Sequence, residues 1–120
     1  LNLRISNNNL LLVVNLSLRQ DIKLMKNTDF LIAELFDIQR QIRTKDYTNA
    51  IARLIDLEKK FPNFSVIHEL IASAYYLDQK FKKALSFYRK AFSVNPDNRD
   101  AYIMKNYLER KFNLTPEKGT

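Results

Sequence analysis

The sequence predicts a mainly α-helical protein built from stacked helix–turn–helix units. Three observations predict it. Tyr47, Ala50 and Pro62 recur 34 residues later as Phe81, Ala84 and Pro96, and a fixed period of this size marks two-helix units that pack on their neighbours. The 120 residues hold one glycine, Gly119, and three prolines, too few turn formers for a many-stranded sandwich or barrel. Between Leu31 and Phe112 the apolar residues fall three and four apart, the helical spacing. A chain of this length is expected to form one domain with a real core.

The elements follow in order. Asn27, Thr28 and Asp29 supply N-cap side chains, and Phe30, Leu31, Glu34, Leu35, Ile38 and Ile42 follow at helical spacing, so a helix is expected over about 28–43. Lys45 and Asp46 make a short turn. A second helix carries Tyr47, Ala50, Ile51, Leu54, Ile55 and Leu57 as far as Lys60. It stops at Phe61, because a residue before proline avoids helical dihedrals. Ser65 is expected to cap a third helix with Val66, Ile67, Leu70, Ile71, Ala74, Tyr75 and Leu77. A fourth runs over about 81–94 around Ala84, Leu85, Tyr88, Ala91 and Phe92, and Asn95, Pro96 and Asp97 close it. A fifth spans about 98–112, with Ala101, Tyr102, Met104, Leu108 and Phe112 on one side. Residues 113–120 read as a polar tail.

Residues 1–26 follow a different pattern. Leu1, Leu3 and Ile5 alternate with polar residues, as do parts of Leu10 to Leu18, and Ser6-Asn7-Asn8-Asn9 is a turn signal. Period two argues for a β-hairpin, with an amphipathic helix over about 10–26 as the rival reading. An isolated hairpin is marginal in water, so this segment is expected either to cap the stack or to mediate assembly. Without such a cap, Leu31, Leu35 and Ile38 would stand partly exposed. The chain begins at Leu1 and is read as a fragment or a processed protein.

At the 34-residue offset Leu54 falls over Tyr88, Leu57 over Ala91 and Pro62 over Pro96. This pattern resembles the tetratricopeptide repeat family. In the best-matching unit, Ser65 to Asn98, Tyr75 holds the family's aromatic place in the first helix. Ala84, Tyr88, Ala91 and Pro96 hold the small, aromatic, small and proline places of the second. Ala72 stands where the family usually has glycine, and His68 where a large aromatic is common. The preceding unit keeps Ala50 and Pro62 but has Ile38 and Gln41 in the small and aromatic places of its first helix. The resemblance covers about residues 28–112. It implies a short right-handed α-solenoid of about five helices: two helix–turn–helix repeats and a C-terminal capping helix, in a domain of about 27–112.

Composition bounds the chemistry. Without cysteine there are no disulfides, no thiol catalysis and no Cys-ligated zinc, and the redox compartment stays open. His68 is the only histidine, so the usual zinc ligand sets cannot be assembled; it reads as a packed structural residue. There is no glycine-rich phosphate loop, and no cofactor is expected. Glu34 and Asp37 read as solvent-facing. No run approaches the ~18 apolar residues of a membrane span. Lys and Arg outnumber Asp and Glu 20 to 13, for a net charge of +7. The basic residues are spread along the chain, mostly beside acids, which is the pattern of solvated helix faces. Nucleic-acid binding through the general positive field is the weakest of the functional readings, because the aromatics lie at core spacing.

The expected function is therefore binding and not catalysis. In the tetratricopeptide family the first helix of each pair lines a concave face. By that resemblance the lining would be Leu35, Gln39, Ile42 and Arg43 from the first unit, Glu69, Ser73, Tyr76 and Leu77 from the second, and Ile103, Tyr107 and Arg110 from the last helix. Such a surface suits an extended peptide or an amphipathic helix of another protein, with Tyr76 and Tyr107 as anchors. The alternative is self-assembly through the N-terminal strands. Family members that clamp a terminal carboxylate use Asn and Lys at places held here by Leu35, Gln39, Glu69 and Ser73, so that clamp is not expected.

Overall fold

The computed structural model describes residues 28–113. Within them the chain forms five helices: α1 (Thr28–Arg43), α2 (Tyr47–Lys60), α3 (Ser65–Leu77), α4 (Phe81–Val94) and α5 (Arg99–Lys111). Each packs on the next in sequence, most extensively α3 on α4. The expected hairpin over residues 1–26 and the tail beyond Asn113 lie outside the described residues.

The helix boundaries carry the 34-residue period. The ends of α1, α3 and α5 fall at Arg43, Leu77 and Lys111, and α2 and α4 span Tyr47–Lys60 and Phe81–Val94. The turns repeat in the same way. After α1 the Lys45 amide donates to the Ile42 carbonyl and the Asp46 amide to the Gln41 carbonyl; after α3 the Gln79 and Lys80 amides do the same to Tyr76 and Tyr75. This is the Schellman pattern, which needs one residue in the left-handed region. Lys45 (φ 68°), Gln79 (φ 62°) and Asn113 (φ 56°) supply it, again 34 apart. The arrangement is thus repeat-like at the level of individual hydrogen bonds.

Two joined apolar clusters make the core. Leu31, Leu35, Ile38 and Ile42 of α1 meet Ala50, Ile51, Leu54 and Leu57 of α2 and Val66, Ile67, Leu70, Ile71 and Ala74 of α3. Ala72 of α3, Ala84, Leu85, Tyr88 and Ala91 of α4, and Ala101 and Leu108 of α5 form the second. Ala50, Ala72, Ala84 and Ala91 have no exposed surface; at such close helix crossings a larger side chain would overpack. Leu31, Leu35 and Ile38 are fully buried.

Several expectations are corrected. Ser65 does not cap α3: Phe64 occupies the cap position without a side-chain bond, and the Ser65 hydroxyl instead donates to the Ala91 carbonyl at 2.8 Å. Tyr102 and Phe112 are 50% and 38% exposed, because α5 meets only α4 extensively and turns part of its apolar surface outward. Glu109 is buried and holds Arg89 at 2.9 Å. Glu34 and Asp37 are not idle surface acids. Both hold the half-buried guanidinium of Arg53, at 3.0 and 2.7 Å, and Gln41 Oε1 accepts from it at 2.8 Å, pinning α1 to α2. Asp37 also pairs with Arg40.

Candidate functional site

The eleven expected lining residues divide by burial. Leu35, Gln39 and Ile42 of α1 are buried, as is Glu69 of α3; none offers surface to a partner. The apolar pair lies there because it belongs to the stripe of α1 that packs on α2 and α3. Arg43 is exposed at the end of α1, and Ser73 is half-buried with its hydroxyl 3.1 Å from the Tyr88 hydroxyl. The remaining residues keep surface. Leu77, Ile103 and Tyr107 are 45%, 48% and 39% exposed. Arg110 is exposed and Tyr76 half-buried.

Local sequence explains the grouping. Ile103, Tyr107 and Arg110 are four and three residues apart on α5 and share one stripe of that helix. Tyr76 and Leu77 end α3, and the Schellman turn brings the start of α4 back beside them. Phe81 packs edge-on against Tyr76 at 5.5 Å and stacks on Phe112 at 5.1 Å. Lys111 Nζ lies 5.7, 5.5 and 5.7 Å from the ring centroids of Phe81, Tyr107 and Phe112 and donates to the Tyr107 hydroxyl at 3.2 Å. That ammonium pulls the Tyr107 phenol below its usual value, and the Tyr107 hydroxyl in turn holds the Lys111 proton more firmly. The result is an aromatic ledge across α3, α4 and α5 with a cation seated in it. Sequence reasoning missed Phe81, Lys111 and Phe112 as members, although the four-residue spacing from Tyr107 to Lys111 was a usable signal.

Toward the N-terminal ends of α3 and α5 lies a polar network. The Asn98 amide nitrogen donates to Ser65 Oγ at 2.8 Å and to Glu69 Oε1 at 3.0 Å, while its Oδ1 accepts from the Ala101 amide at 3.0 Å. Asn98 therefore caps α5 and ties it to α3. Burial pushes the Glu69 carboxyl up to about 7; the Asn98 bond opposes the shift and the nearby charge of Asp100 adds to it. Tyr88 is also raised by burial, against the hydrogen bond of Ser73.

His68 is buried as expected of a packed residue. Its Nε2 stands 2.9 Å from the Pro62 carbonyl, so that nitrogen carries a proton and donates. Nδ1 lies 2.8 Å from Glu58 Oε2 without hydrogen-bond alignment, and Lys90 Nζ shares that oxygen at 2.9 Å. Among the described residues no group of three or more His, Asp or Glu side chains could hold a metal ion, and no helix is long and apolar enough to cross a membrane. Two shallow depressions lie away from the ledge, one along Lys82, Ser86, Phe87, Arg89, Lys90 and Ser93 of α4, the other along Ala33, Phe36, Asp37, Arg40 and Arg43 of α1. Comparison with protein-family models, curated proteins and solved structures finds no match to this chain.

Proposed function

We propose that the chain is a non-enzymatic protein-interaction module of the tetratricopeptide type, a short right-handed α-solenoid that binds a segment of another protein. One observation carries this reading: Leu77 of α3 and Ile103 and Tyr107 of α5 are exposed apolar side chains, and Tyr107 shares the Lys111 ammonium with Phe81 and Phe112, which pack with Tyr76 into one ring cluster. Scattered exposed apolar residues are ordinary, but a contiguous group built on rigid elements is the usual anchor of an interface. The recurrence of helix boundaries and turns every 34 residues supports the repeat assignment.

The site is narrower than the resemblance alone implies. It uses the second and third first-helices, since Leu35, Gln39 and Ile42 are buried. Tyr76 is half-buried against Phe81, so its truncation would disturb folding as well as binding. The cleaner test replaces Leu77 and Tyr107 together by alanine. Wild-type protein immobilised as bait should retain a partner that the folded double variant loses, whereas Lys82→Ala with Ser86→Ala on α4 should retain it. Equal retention by the Leu77/Tyr107 variant would overturn the site.

A further inference from the structure

Resting on that reading, the charge around the ledge specifies its occupant. We infer that the partner segment is acidic, with carboxylates that meet Arg110 and Lys111 while its apolar side chains lie on Tyr107, Ile103 and Leu77.

Several cations near the ledge are already matched. On the neighbouring surface of α4 and α5, Arg89 and Lys105 are held by Glu109, and Lys90 by Glu58. Lys80 pairs with Asp78. Arg110 and Lys111 make no ion pair with any described residue, and Lys111 bonds only to the neutral Tyr107 hydroxyl. Last-turn cations also occur on α1 and α2, where they offset the carbonyl end of the helix dipole. Lys111 differs from them. Among the described lysines it alone lies over three rings, so its position is set before any ligand arrives and less ordering entropy is lost on binding.

The one acid in line with this stripe is Asp100, ten residues before Arg110. At 1.5 Å per residue that is about 15 Å along the helix, beyond the ~8 Å over which exposed charges act at physiological salt. It leaves the C-terminal end of α5 positive and gives the occupant a direction, with its acids toward Arg110 and Lys111. The net charge of +7 adds attraction at longer range. A basic segment would instead face two unmatched cations beside an apolar surface, where like charges are only partly screened.

The test is fluorescence anisotropy of the full chain with three labelled synthetic peptides of the same length. One alternates Glu with Leu and Phe, one has Gln for each Glu, and one has Lys. The Glu peptide should bind at least about fivefold more tightly than the Gln peptide at ~50 mM salt, with the difference shrinking as salt rises. The R110E/K111E variant should reverse the order and favour the Lys peptide, and Tyr107→Ala should weaken all binding. Thermal melts by circular dichroism confirm that each variant is folded. Equal binding of Glu and Gln peptides, still weakened by Tyr107→Ala, overturns the acidic partner and leaves the interaction face standing. Binding of the Glu peptide that ignores both Tyr107→Ala and R110E/K111E overturns the face itself. A dimer in light scattering that Tyr107→Ala dissociates would make a second copy the occupant and overturn the inference, as would no binding of any peptide.

Discussion

Glu69 carries the most informative single charge in the described chain. It is 5% exposed and its carboxyl is pushed up to about 7 by burial, so the folded protein holds a proton that the unfolded chain releases near the ordinary value of 4.5. A folded-state value above the unfolded one adds stability that is complete below about 4.5 and fades as pH rises through about 7. The loss corresponds to roughly 3 kcal/mol. Urea unfolding at pH 5 and pH 8 should show it, and Glu69→Gln, which keeps an acceptor for Asn98, should flatten the dependence. The repeat pattern placed Glu69 in a groove. It could not show that Asn98, 29 residues away, closes over it. His68 is the opposite case: one histidine on an apolar helix face was legible as a packed residue, but its donation to the Pro62 carbonyl depends on how α2 ends.

At the scale of the element, the helices were legible almost to the residue. Apolar spacing and the prolines at 62 and 96 locate α2 and α4, since a packed stripe and a chain terminator are both local signals. The turns were less legible. Lys45 and Gln79 adopt positive φ where glycine is the common choice, and a β-carbon in that region costs about 1 kcal/mol. Lys45→Gly and Gln79→Gly should each therefore raise stability by about 1 kcal/mol in chemical denaturation, and Gln79→Val should lower it by more. A loss on Gln79→Gly would show that the side chain compensates for its backbone. The failed Ser65 cap belongs at this scale too. Serine before an apolar run is a sound capping signal, but its hydroxyl found a stronger buried acceptor in the Ala91 carbonyl.

Across the whole molecule, α5 is held by its packing on α4 and by the Asn98 bridge to α3. Removing that bridge frees one capped amide and strips Glu69 of its donor, each costing about 1 kcal/mol or more. Asn98→Ala should therefore speed amide exchange through α5 while α2, α3 and α4 keep their protection. It should also weaken partner binding, because Tyr107 rides on the loosened helix. Uniform loss of protection would mean that α5 is not a separable unit.

The helical class, the 34-residue period and the helix limits are readable from residue spacing alone, because each rests on a pattern within one chain segment. The tertiary structure decided which face is left for a partner. Leu35 and Gln39 stand two periods before Ile103 and Tyr107, yet the first two are buried and the last two exposed. Register fixes only a direction around each helix. Whether that direction ends in solvent depends on what the neighbouring elements cover, and in this chain they leave open the ledge where α3, α4 and α5 meet.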